Sequence, residues 1–189
     1  MIVVADTTPI NYLVLIGEQN LLRTLFRCVI VPVGVQRELL RSNTPAAVRQ
    51  WTNNRPQWLE IRQTTTLPDE SLSYLDEGER EAIQLAEELS ADLLLVDERA
   101  ARKEATKRHL TTSGTLGILD RAADKALIEF VPTLERLKQT CAWRITIHAA
   151  LGSSHNPRQC CCHRNWCRLA YSTIVSSLNC TGVTPSSAL

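Results

Sequence analysis

Four apolar residues in a row, Leu93-Leu94-Leu95-Val96, run straight into Asp97. A strand with one wet face alternates apolar and polar residues. An unbroken apolar run suits a strand buried on both faces, as in a parallel sheet covered by helices. Such a sheet needs long crossover connections, usually helical, and the rest of the chain supplies them. Ile2-Val3-Val4-Ala5 is a second short apolar run. Asp6-Thr7-Thr8-Pro9 then starts a helix, with a capping-type residue and a Pro in the first turn. Asn11 to Ile16 begins that helix, and Leu21, Leu22, Leu25 and Phe26 extend its apolar stripe. Cys28 to Val31 reads as a strand closed by Pro32, and Val35, Leu39 and Leu40 fall at helical spacing after it. Residues 42–57 carry loop signals around a short helix, Trp58 to Ile61 reads as a strand, and Thr64 to Pro68 as a linker. A helix opens at Asp76 with the core face Ala82, Ile83, Ala86 and Leu89. Beyond Asp97, Ala100 to Arg108 is helical, Leu110 to Thr112 a short strand, and Gly114 leads into a helix through Ala126. This alternation predicts a three-layer α/β/α fold with a mostly parallel central sheet.

Charge divides the chain in two. Residues 1–140 hold 17 Lys and Arg against 20 Asp and Glu, whereas residues 141–189 hold four Arg and no acid. Six of the seven cysteines lie in that second part, Cys141 at its first position and Cys160, Cys161, Cys162, Cys167 and Cys180 further along. Cys160-Cys161-Cys162-His163 with Cys167 offers a zinc-knuckle reading, but structural zinc sites pair two spaced ligand couples and only one cluster exists here. The expectation is a folded unit over 1–140 and a Cys-, Ser- and Arg-containing tail over 141–189 outside the fold. An odd cysteine count with no basic, apolar leader argues for a cytoplasmic protein. No apolar run reaches the ~18 residues of a membrane span.

Parallel sheets bind ligands at the carboxyl ends of their strands. Asp6 and Asp97 each follow a strand directly, Glu38 lies a turn or two beyond Pro32, and Glu79 sits in the first turn of the helix before the Asp97 strand. Taken singly, each acid is explained equally well as a helix cap or a first-turn acid. Together they form a set of four carboxylates that would stay ionised near neutral pH only with a cation among them. Oxygen-only ligands suit Mg²⁺ or Mn²⁺, which can activate water and stabilise charge on a phosphate.

In order along the chain stand Val3-Val4-Ala5-Asp6-Thr7-Thr8-Pro9, Val31-Pro32 with Gln36-Arg37-Glu38-Leu39, Leu75-Asp76-Glu77-Gly78-Glu79-Arg80-Glu81-Ala82-Ile83, Leu94-Leu95-Val96-Asp97 and Thr112-Ser113-Gly114-Thr115-Leu116-Gly117. This ordered set resembles PIN-domain proteins, in particular a bacterial and archaeal subfamily related to VapC-type toxin ribonucleases. The resemblance implies that Asp6, Glu38, Glu79 and Asp97 are the catalytic, metal-binding acids. Glu81 competes with Glu79 for the third place. On a helix, residues two apart point about 200° apart. Glu79 continues the Ala82/Ile83 stripe towards the helix start, and Glu81 points more to solvent. The resemblance also implies that the Thr7 hydroxyl supports Asp6. It places Arg102 where it would hold a phosphate, although a solvated helix-face Arg explains Arg102 as well.

For function, the resemblance implies cleavage of single-stranded RNA with Mg²⁺ or Mn²⁺, pairing with a cognate antitoxin protein, and a homodimer. The slightly acidic body speaks against a broad nucleic-acid surface, leaving Arg102, Lys103, Lys107 and Arg108 as a local basic patch. The alternative is a PIN-fold module that binds nucleic acid or protein without useful catalysis. A phosphatase-like Mg²⁺ enzyme would want an Asp two residues after Asp6, and Thr8 stands there.

Overall fold

A computed structural model describes residues 1–66 and 69–140. The segment 141–189, with the Cys160–Cys162, His163 and Cys167 cluster, lies outside the described residues. Five strands, β1 (Val3–Ala5), β2 (Val29–Pro32), β3 (Leu59–Arg62), β4 (Leu93–Leu95) and β5 (Thr112–Ser113), form one sheet in the order β3-β2-β1-β4-β5. Every pairing is parallel, so the sheet goes beyond the mostly parallel expectation. Between and after the strands come α1 (Thr7–Leu15), α2 (Asn20–Phe26), α3 (Val33–Leu39), α4 (Ala46–Asn53), α5 (Glu77–Glu88), α6 (Arg99–Lys107), α7 (Thr115–Asp124) and α8 (Phe130–Lys138).

Successive strand side chains point to opposite faces, and the two faces have separate cores. Val3, Ala5, Val29, Val31, Leu93 and Leu95 pack with Ile10, Leu13, Leu22, Ile118 and Leu137 from α1, α2, α7 and α8. Val4, Ile30 and Leu94 pack with Ile83, Leu85, Ala86, Ala101 and Ala105 from α5 and α6. Strands β1, β2 and β4 are apolar at every position because both of their faces are covered. Each buried Leu, Ile or Val contributes roughly 1.5–3 kcal/mol, so a polar side chain anywhere in β1 or β4 would damage one core or the other.

Two elements depart from the pattern-based expectation. The stripe expected to run on from Ile16 is two helices, broken at Gly17 with φ +78°. That left-handed conformation is open to glycine without strain, and Glu18 N–H bonds back to the Leu13 carbonyl to close α1. Helix α8 has no counterpart in the expected elements; it is anchored by the fully buried Leu137 and by Arg136, which reaches the Ile16 carbonyl.

The chain builds β1, β2 and β3 outwards in one direction, then returns to lay β4 on the other side of β1 and β5 beyond it. The order reverses between β1 and β4. In open parallel sheets the crevice at such a reversal, at the carboxyl ends of the strands, is where ligands bind.

Candidate functional site

Asp6 and Asp97 stand on the two strands that flank this reversal. Val3 pairs with Leu93 and Ala5 with Leu95, and the Asp6 N–H donates to the Leu95 carbonyl at 2.9 Å. Asp97 follows two residues after Leu95. Helix α5 leads into β4 and runs antiparallel to it, so its first turn, with Glu79, returns to the same edge. Helix α3 follows β2 directly and carries Glu38. All four acids are buried, at 2 % exposure for Asp6, 9 % for Glu38, 7 % for Glu79 and 7 % for Asp97. Buried carboxylates are rare unless something holds them, so their partners decide what they are.

Asp6 occupies the N-cap of α1 in extended conformation, yet its side chain makes no cap hydrogen bond. Its Oδ1 is buried without a hydrogen-bond partner. Burial, then the charge of Glu38 and more weakly that of Asp97, push its pKa up to about 7. The N–H groups of Thr7 and Thr8 pull the other way. Glu79 is pushed up to about 8 by burial first and then by the charge of Asp6, with Asp76 and Glu98 adding to it. One of its oxygens accepts from the Asp76 N–H at 3.1 Å, closing a capping box at the start of α5. Glu79 therefore caps α5 and lies close enough to Asp6 for the charge of each to act on the other.

Glu38 and Asp97 are held by protein donors. The Thr7 hydroxyl donates to Glu38 Oε2 at 2.6 Å and the Gly78 N–H to Oε1 at 3.2 Å, so Glu38 ties the starts of α1 and α5 together. A Cβ at Gly78 would sit 2.8 Å from Glu38 Oε2, so a glycine is needed for this approach. The expected support of Asp6 by the Thr7 hydroxyl is thus corrected: that hydroxyl serves Glu38. Asp97 accepts from the Thr115 N–H at 2.8 Å and from the Thr115 hydroxyl at 2.5 Å. Burial raises the Asp97 pKa, while Thr115 and the charge of Arg102 oppose the rise.

Arg102 therefore lies where its charge is felt by Asp97. Two of the other three cations of the expected patch are taken up by acids, and Lys103 is exposed. Arg108 is bound to Asp69, Glu87 and Glu104, and Lys107 to Glu104. Glu81 was expected to point to solvent, and this too is corrected. Its Oε2 accepts from the Gly34 N–H at 2.6 Å and its Oε1 pairs with Arg37 at 3.0 Å. It caps α3 from the neighbouring helix and is taken up there, whereas Glu79 turns towards Asp6. The segments that carry the resemblance include Gly78 and Thr115, but nothing in the sequence gives their contacts or marks Glu98. Thr115 and Gly78 depend on pairings between segments far apart in the chain, which no local pattern announces.

The donor set at this edge is all oxygen and strongly anionic, which fits Mg²⁺ or Mn²⁺ in kind and in charge, and the unpartnered Asp6 Oδ1 is an oxygen with a lone pair to give. Among the described residues no three His, Cys, Asp or Glu side chains converge as a ready-made metal cage. Glu38 and Asp97 each accept from protein donors at this edge. A shallow cavity of about 570 Å³ lined by Asn54, Arg55, Gln57 and Leu59 lies at the start of β3, the opposite edge of the sheet from the acids. Among the described residues no helix is long and apolar enough to cross a membrane.

No curated protein and no solved structure matches the chain. A family model, DUF3368, described as a PIN domain, matches residues 2–150, past the expected boundary at 140 and over most of the 189 residues. PIN domains are as a class nuclease modules, in keeping with acids at the carboxyl edge of a parallel sheet. With this match and this topology, the chain belongs to the PIN-domain family.

Proposed function

We propose that this PIN domain is a divalent-metal-dependent endoribonuclease acting on single-stranded RNA, with Asp6, Glu38, Glu79 and Asp97 as its acidic centre. The observation that carries the reading is the uncompensated Asp6 carboxylate at the sheet reversal. It is buried, lacks a partner on Oδ1 and is in electrostatic contact with Glu38, Glu79 and Asp97. Protein interiors do not ordinarily keep such a charge without a counter-ion. Asp6 and Asp97 would hold Mg²⁺ or Mn²⁺ directly, with Glu38 and Glu79 completing the anionic wall. Such an ion supplies an activated water and stabilises charge on the scissile phosphate. Thr7 and Thr115 hold two of the carboxylates by hydroxyl bonds, and Arg102, whose charge reaches Asp97, would take a phosphate oxygen.

A toxin role with a cognate antitoxin, a homodimeric state and a cytoplasmic setting extend the same reading, on the strength of the resemblance to VapC-type proteins. A second reading, a PIN-fold module that binds without cleaving, is favoured by the way Glu38 and Asp97 are already satisfied by protein donors. Cleavage of a fluorescent single-stranded RNA, with Mg²⁺ or Mn²⁺ and then with EDTA, separates the two. The nuclease reading expects metal-dependent cleavage that vanishes in EDTA and in Asp6→Asn. RNA binding with no cleavage under either metal would favour the second.

A further inference from the structure

We infer that Thr115 is the positioning residue of the metal centre, a two-pronged clamp that fixes the carboxylate of Asp97. The inference rests on the reading of this edge as a metal site and adds to it a residue that resemblance does not assign. Four observations carry it. First, Thr115 gives one donor to each Asp97 oxygen, its N–H to Oδ1 at 2.8 Å and its hydroxyl to Oδ2 at 2.5 Å. A carboxylate held at both oxygens cannot turn about its last side-chain bond. Second, both partners are buried, Thr115 at 3 % and Asp97 at 7 % exposure, so water does not substitute for either bond. Third, Thr115 opens α7, a helix of ten residues whose first N–H groups have no carbonyl of their own to bond. Fourth, Gly114 leaves room for the carboxylate: a Cβ there would overlap Asp97 Oδ1. Gly114 has φ −126°, an ordinary extended backbone, so the glycine is explained by this close approach and not by chain conformation.

The clamp is also tied to the strand that carries Asp97. Val96 N–H bonds to the Ser113 carbonyl at 2.8 Å, which keeps β4 and β5 in register close to both partners. Each Thr115 donor occupies one of the two lone pairs on its Asp97 oxygen. Groups that orient metal ligands in this way typically matter by about 10–100-fold in metal affinity or activity.

The test uses the full-length chain, with Mn²⁺ as the probe, read by calorimetry or by electron paramagnetic resonance, with thermal melting in EDTA as the control for folding. Thr115→Val removes the hydroxyl bond and keeps shape and N–H. Gly114→Ala displaces the carboxylate without removing any polar group. Thr115→Ser restores the hydroxyl. The expected result is Mn²⁺ binding weakened about 10-fold or more in Thr115→Val and Gly114→Ala, and within about 3-fold of wild type in Thr115→Ser. Should Thr115→Val fail to fold, Gly114→Ala and Thr115→Ser carry the comparison. If the wild type binds Mn²⁺ and cleaves RNA while Thr115→Val or Gly114→Ala binds Mn²⁺ equally well, the clamp is refuted and the nuclease reading stands. An equal loss in Thr115→Ser also refutes it. A wild-type chain that neither binds Mn²⁺ nor cleaves overturns both.

Discussion

Replacing Asp6 by Asn should stabilise the metal-free protein, and by an amount that grows with pH. Asp6 has a pKa near 7 in the folded chain against 3.8 as a free side chain, chiefly through burial and then through the charge of Glu38. The folded state therefore holds its proton over a window in which the unfolded chain has lost it, and stability falls as pH climbs from about 4 towards 7. At about 1.36 kcal/mol per pKa unit, the full displacement corresponds to roughly 4 kcal/mol by neutral pH. Asn has nearly the shape of Asp and carries no charge, so this pH-dependent part disappears in the variant. Glu79, whose raised pKa comes in part from the charge of Asp6, is relieved at the same time. One kcal/mol moves the melting temperature of a domain of this size by roughly 2–5 °C, so the variant should gain on wild type by about 5–15 °C on going from pH 4.5 to pH 8. The measurement is a set of thermal melts by circular dichroism in EDTA across that range. Added Mn²⁺ should close the gap by stabilising the wild type alone, through mass action on the folded state. A difference that does not change with pH, or a variant that loses ground as pH rises, would refute the description of Asp6 as an uncompensated buried charge.

The same geometry sets three further expectations. Asp97→Asn should cut metal-dependent RNA cleavage by about 100-fold or more while melting as a folded protein, because the Asn oxygen still accepts from the Thr115 N–H; normal cleavage by this variant would displace Asp97 from the centre. Glu79→Gln should damage cleavage severely, whereas Glu81→Gln should act on stability, by about 1–3 kcal/mol in urea unfolding, since it weakens the bonds to the Gly34 N–H and Arg37; the reverse ranking would mean that the start of α5 is turned the other way. A chain ending at Thr140 keeps the buried Leu137 and the last bonds of α8, so it should fold and melt cooperatively; failure to fold would show that residues after 140 belong to the domain.

How far these features could be read from the sequence depends on the range of the contacts involved. The sheet was legible because a strand buried on both faces has to be apolar at every position, as Leu93-Leu94-Leu95-Val96 is. The placement of Asp6 and Asp97 was legible because each acid follows its strand directly. The break at Gly17 was hidden by an apolar stripe that continues across it in both helices. The true partner of the Thr7 hydroxyl and the seat of Glu81 were not legible, since both lie across contacts between segments 31 or 47 residues apart. Thr115 stood in one of the segments that carry the resemblance, but no local pattern gave its partner. Its role depends on β5 pairing with β4 in one register, and a shift by one residue would turn its neighbours to the other face.

The position of β1 in the middle of the sheet has a consequence for how the protein comes into being. Asp6 is made well before its neighbour across the sheet, β4, which follows roughly 90 residues later. Pairings this distant in sequence form late, because a long loop must close before any contact rewards it. Until β4 docks beside β1, the acidic edge does not exist, and a half-made chain carries no site at all. Whatever this edge cuts or binds, it can do so only once β4 has been made and has docked beside β1. A break between residues 6 and 97 that frees β4 would dismantle the acidic edge again.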